Sequence, residues 1–200
     1  MQEENITEQE GLAIIEAMIN KAKNRFSENG FLYLLWGWVI FVCSVAQFVL
    51  LNVFHYERHY LVWMLTWIAV IIQIIYLYRR KRRKTVKTYT DDIIGYVWIT
   101  FVILMFLMIF LMGRTLDEQH FMFIDVIFLA LYGMPTFLSG IILKFRALII
   151  GGICCWVLSA AATAVQPEYQ LLFLAAGVIA AWIIPGYLLR MRYRQENVSN

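Results

Sequence analysis

Six stretches of about twenty residues, nearly free of charge, dominate this chain: Phe31 to Phe54, Tyr60 to Tyr78, Ile93 to Met112, Phe121 to Leu143, Ala147 to Val165 and Gln170 to Leu189. A hydrocarbon core of roughly 30 Å takes about 20 residues of helix to cross, so each stretch has the length of one membrane span. The loops between them are too short to fold separately, and no Pro-, Gly- or Ser-rich linker divides the chain. The sequence therefore predicts an all-α integral membrane protein. A six-helix transmembrane domain covers residues 31–189, preceded by residues 1–30 and followed by a tail over 190–200. A transmembrane barrel is excluded because runs such as Ile99 to Phe110 show no alternation of polarity.

Composition agrees with this reading. Of the 200 residues 62% are hydrophobic, against roughly 45–50% in soluble domains. The eleven Tyr in that count replace the eleven Gly of the reference set, so the two figures compare directly.

Lys and Arg placement predicts the orientation, because positive juxtamembrane segments stay in the cytoplasm. Lys21, Lys23 and Arg25 precede the first span, and Arg79 to Lys84 with Lys87 fill the second-to-third loop. Lys144 and Arg146 sit in the fourth-to-fifth loop, and Arg190, Arg192 and Arg194 follow the sixth span. Only Arg58 and Arg114 fall on the other side. The expected location is the cell (inner) membrane with both ends of the chain cytoplasmic. Met1 to Asn5 has no positive region ahead of an apolar one, so no cleavable signal peptide is expected.

Thr7 and Glu10 have the spacing of a capping box. The helix it would start carries Leu12, Ile15, Ile19, Ala22 and Phe26 on one face. Acids lie early and bases late, as the helix dipole favours, and Asn29-Gly30 suits a stop before the first span. Such an amphipathic helix either lies on the inner leaflet or docks a cytoplasmic protein partner. The run Arg79, Arg80, Lys81, Arg82, Arg83, Lys84 serves as a topology signal, and it is also a candidate contact for anionic lipid headgroups or a partner. Without a folded reader or an aromatic platform it does not point to nucleic acid.

Ionisable groups inside a span are costly and mark candidate sites. There is one, Asp125, near the outer end of the fourth span. Gln47, Asn52 and Thr66 lie within about 10 Å of the outer ends of their own spans at 1.5 Å rise per residue. Together the four are candidates for an outward-facing polar vestibule. Arg114, across a short loop, is an alternative partner for Asp125. His55, His59 and His120 fall on the same side, beside Glu57, Asp117 and Glu118, and form a weak candidate metal set. His55 to His59 reads as a turn and lacks the His-Glu-x-x-His order of zinc peptidases.

Ala147, Gly151, Cys155, Ser159 and Thr163 place a small residue at every fourth position of the fifth span. The matching surface is Ala176, Gly177, Ala180 and Ala181 of the sixth, so a tight hairpin of the last two helices is expected. The alternative use of that stripe is homo-oligomerisation. Pro135 and Pro185 are expected to bend spans four and six. Trp36, Trp38, Trp63 and Trp98 lie within reach of an interface, whereas Trp67, Trp156 and Trp182 are expected to fill the core.

No Gly-x-Ser-x-Gly, Cys-x-x-Cys or phosphate-binding glycine loop is present, and Asp91-Asp92 reads as a helix start. No internal repeat of a transporter kind is visible. The expectation is a non-catalytic regulator or accessory subunit with no cofactor. The alternative is a small transporter or channel built around Asp125.

Overall fold

The computed structural model describes residues 29–83, 89–115 and 123–198. Leu12, Ile15, Ile19, Ala22, Phe26, Lys84 and His120 lie outside the described residues. The chain is an all-α membrane helix bundle. Its helices are α1 (Phe31–Asn52), α2 (Leu65–Arg83) entered through a 3-10 helix (His59–Met64), α3 (Tyr89–Thr115), α4 (Ile124–Ile142) and α5 (Arg146–Ala162). The last span is built of α6 (Pro167–Val178), a π-helical turn (Ile179–Ile183) and α7 (Ile184–Val198). Five spans are long and apolar enough to cross a bilayer. The other, α5, has 17 residues, or about 25 Å at 1.5 Å per residue.

Asn29 starts α1, its Oδ1 accepting from the Phe31 amide at 3.1 Å. Gly30 has φ of 69°, and a Cβ there would lie 2.3 Å from the Gly186 carbonyl oxygen, so both backbone and space demand glycine. At the far end α7 runs through Val198, beyond the expected span end at Leu189. No Pro or Gly lies between Leu189 and Val198 to stop it.

Four elements form the buried centre: α1, α4, α5 and the last span. α2 rests on α1, α3 rests on α4, and these two peripheral helices make little contact with each other. Only 6% and 11% of the apolar windows of spans two and three are buried, against 44% and 56% for spans four and six. In a bilayer their outer faces are therefore lipid-covered.

Close approach between backbones sets the centre. A Cβ on Gly151 would sit 2.7 Å from the Ala181 Cα, so the small-residue stripe packs on the last span as its spacing predicts. Gly152, one position round, faces α4 instead, where a Cβ would meet the Phe137 Cβ at 2.7 Å and the Gly133 carbonyl at 2.9 Å. Ser159 Oγ also turns to α4, donating to the Val126 carbonyl at 2.8 Å. Thus α5 is clamped on two sides.

The two prolines act differently. α4 continues through Pro135. Ahead of Pro185 the helix widens, and the Ile184 amide reaches back five residues to the Ile179 carbonyl. Proline cannot supply the next amide, so a π turn is a local way to rearrange the backbone hydrogen bonds while the surrounding helices keep it out of lipid.

Candidate functional site

Three groups of polar or aromatic residues occur along the bundle. The first is a ladder on the α1–α2 seam. Tyr76 Oη donates to Asn29 Oδ1 at 3.0 Å, and the Trp36 indole donates to Gln73 Oε1. Farther along, Cys43 Sγ contacts the Val62 carbonyl at 3.4 Å and the Trp63 indole donates to Gln47 Oε1. Positions 36, 43 and 47 are spaced seven and four, which keeps them on one face of α1, and Asn29 lies just ahead of its start. Polar side chains are the adhesive in a bilayer, where apolar contacts between helices gain little over lipid.

At the upper rung the chemistry fixes atom identities. The indole N–H of Trp63 can only donate, so the Gln47 atom facing it must be the oxygen. Gln47 Nε2 then faces His59 Nδ1 at 3.1 Å and donates to it. His59 therefore carries its proton on Nε2. Asn52 Nδ2 donates to the Phe48 carbonyl at 3.0 Å, and Thr66 Oγ1 to the Trp63 carbonyl at 2.6 Å, each within its own stretch of helix. Asp125 lies in the first turn of α4, partly buried, and forms no hydrogen bond or ion pair among the described residues. Of the four vestibule candidates, only Gln47 bridges side chains of different helical elements, and no hydrogen bond joins the four. Arg114 places its guanidinium over the Phe110 ring at 6.0 Å and does not pair with Asp125.

His55 adopts φ of 45° in the turn after α1, and its Nδ1 lies 3.0 Å from the Leu51 carbonyl. Among the described residues no three of His, Cys, Asp and Glu gather where one metal ion would reach them.

The second group is an aromatic core that the sequence reading missed. Tyr132 and Trp182 pack with ring centroids 4.7 Å apart, Trp98 lies 6.0 Å from Trp182 and 5.6 Å from Tyr33, and Phe101 lies 5.8 Å from Tyr132. These rings tie α1, α3, α4 and the π turn together. Trp182 is buried as expected, but Trp67 is 63% exposed and Trp156 40%, so those two do not fill the core. Trp98, expected within reach of an interface, is partly buried and packs against this core. Its spacing from Phe101 and the pairing of Tyr132 with Thr136 were the available signals, at i+3 and i+4.

The third group is the basic end. Antiparallel helices bring Arg79 to Arg83, Lys144, Arg146 and Arg190 to Arg194 to the same end of the bundle. The basic run is not a uniform patch. Arg80 lies 3.8 Å from Asp91 in the first turn of α3, and Arg82 folds back on Tyr78, donating to its hydroxyl at 2.6 Å. Arg79 is exposed. Beside α7 two clefts open, of about 190 and 240 Å³, and Arg190 and Arg194 line both.

Comparison with known protein families, curated proteins and solved structures finds no match to this chain.

Proposed function

We propose that this protein is a non-catalytic regulator or accessory subunit of the cell membrane that works through its basic end, with that end facing the cytoplasm. One contrast supports the reading. The open clefts lined by charged side chains lie at the basic end, whereas Gln47, Asn52 and Thr66 at the other end are committed to hydrogen bonds within and between adjoining helices. An excess of Lys and Arg on one side is the pattern of a cytoplasmic face.

The second reading, a small transporter or channel, has one observation in its favour: Asp125 is partly buried without a hydrogen bond or ion pair among the described residues. A charge in that situation is a default site for ion or substrate contact.

In-cell photo-crosslinking from position 79 separates the two. For a regulator, a discrete crosslinked protein persists in Asp125→Asn and disappears on deletion of residues 1–27. For a transporter, no such adduct forms. Cysteines placed singly at 47, 52, 66 and 125 in a Cys-free background then all react with an impermeant thiol reagent added from outside, which would overturn the regulator reading.

A further inference from the structure

The cleft at the start of α1 and the basic stretch of α7 has the chemistry of an anion site. It is lined by Asn29, Phe31, Arg190, Tyr193 and Arg194. Arg190 and Arg194 are four residues apart on one helix, so their side chains leave the same face. Like charges at that spacing repel, and among the described residues no carboxylate pairs with either. Neither lies in the last turn of α7, so the helix dipole is not their counter-charge.

Asn29 contributes a third donor. Its Oδ1 accepts from both the Phe31 amide and the Tyr76 hydroxyl, which leaves Nδ2 as the outward group. Among the described residues the cleft therefore offers guanidinium and amide N–H groups and no negative charge. At about 190 Å³ it is smaller than the roughly 300–1,000 Å³ that suits a drug-sized ligand, and fits a single small anionic group.

The surroundings select among anions. The adjoining cleft adds Tyr187 and Met191 to the same two arginines, and both of these apolar side chains are exposed. Ile184, one turn farther into the span, is exposed as well. An apolar strip thus runs from the membrane-spanning part of α7 directly to the two guanidiniums. A soluble phosphate would have no use for that strip, whereas a phospholipid would lay an acyl chain along it.

We propose that Arg190, Arg194 and Asn29 form a binding site for the phosphate headgroup of an anionic membrane phospholipid, with its acyl chain against Ile184, Tyr187 and Met191. Guanidinium pairs are suited to phosphate because each presents a planar fork of donors. Arg79, Arg80 and Arg82 do not line the cleft, and the site does not depend on the regulator reading.

The full-length protein is purified, reconstituted in nanodiscs of phosphatidylcholine with 20% phosphatidylglycerol as an assay choice, and released for native mass spectrometry to count retained lipids. Wild type retains phosphatidylglycerol selectively. Arg190→Gln with Arg194→Gln lowers that selectivity by about thirtyfold, from roughly one unit of headgroup attraction per arginine. Arg79→Gln with Arg82→Gln, two arginines that do not line the cleft, lowers it by less than the cleft pair does.

Should the double variant fail to fold, Asn29→Asp decides. The carboxylate keeps the oxygen that caps α1 but replaces the Nδ2 donor with a negative group, so the helix start survives and lipid selectivity falls. Equal retention of phosphatidylglycerol by wild type and both cleft variants overturns the proposal. So does equal retention of phosphatidylcholine, and so does full displacement of the lipid by millimolar inorganic phosphate, which would identify a soluble-anion site.

Discussion

The indole N–H of Trp182 donates to Thr136 Oγ1 at 2.8 Å, and that hydroxyl in turn donates to the Tyr132 carbonyl at 2.7 Å. Both side chains are buried, and the π turn that carries Trp182 faces a helix that passes through Pro135. One hydroxyl thus satisfies a buried indole and secures the turn beside a proline.

Thr136→Val keeps the shape of the side chain and removes the hydroxyl. The Trp182 N–H is then buried without an acceptor, which costs about 1–3 kcal/mol. Thr136→Ser retains the acceptor and should lose less. Denaturant titration in detergent micelles, followed by tryptophan fluorescence, should rank the three in the order wild type, Thr136→Ser, Thr136→Val.

Gly152→Ala forces a methyl against the Phe137 Cβ and the Gly133 carbonyl. Overpacking of this kind costs about 1–3 kcal/mol. Gly95→Ala is the matched control, since a Cβ there meets nothing within 4 Å and alanine is the better helix former by up to about 1 kcal/mol. Thermal unfolding in micelles should move down for the first and stay level or rise for the second.

Gln47→Glu tests the assignment of the upper rung. One carboxylate oxygen still accepts from Trp63, but the other now faces His59 Nδ1, an acceptor in the wild type. The imidazole must answer by placing a proton on Nδ1. Nitrogen-15 NMR of histidine-labelled protein at neutral pH should show an unprotonated Nδ1 for His59 in wild type and a protonated one in the variant. A protonated Nδ1 already in wild type contradicts the arrangement.

Trp67 and Trp182 should respond oppositely to lipid. Trp67 is 63% exposed and Trp182 3%. In single-tryptophan variants reconstituted with brominated acyl chains, emission from Trp67 should be strongly quenched and that from Trp182 largely protected. Equal quenching would place Trp182 outside the core.

Much of the bundle was legible along the chain axis. The spans around Cys43, Ala69, Phe101, Leu129, Cys155 and Val178 are legible because about twenty apolar residues in a row match the thickness of the bilayer. The grouping of the basic segments at one end follows from an even number of antiparallel crossings. Gly151 against Ala181 was also legible, since small residues at every fourth position mark a face by size. The vestibule was drawn from depth alone, and depth places Gln47 and Asp125 at similar levels without saying that Gln47 turns toward Trp63.

The sequence by itself determined that the chain is an all-α membrane helix bundle, and which segments carry the positive charge. Tertiary structure alone decided most of the helix rotations: that Trp67 points outward, that Gly152 faces α4, and that Arg190 and Arg194 share a cleft with Asn29. The reason is the solvent. In water the contrast of polar and apolar residues marks the inward face of a helix, but lipid is as apolar as the core it surrounds, so hydropathy is nearly uniform around each span and only packing chooses its direction.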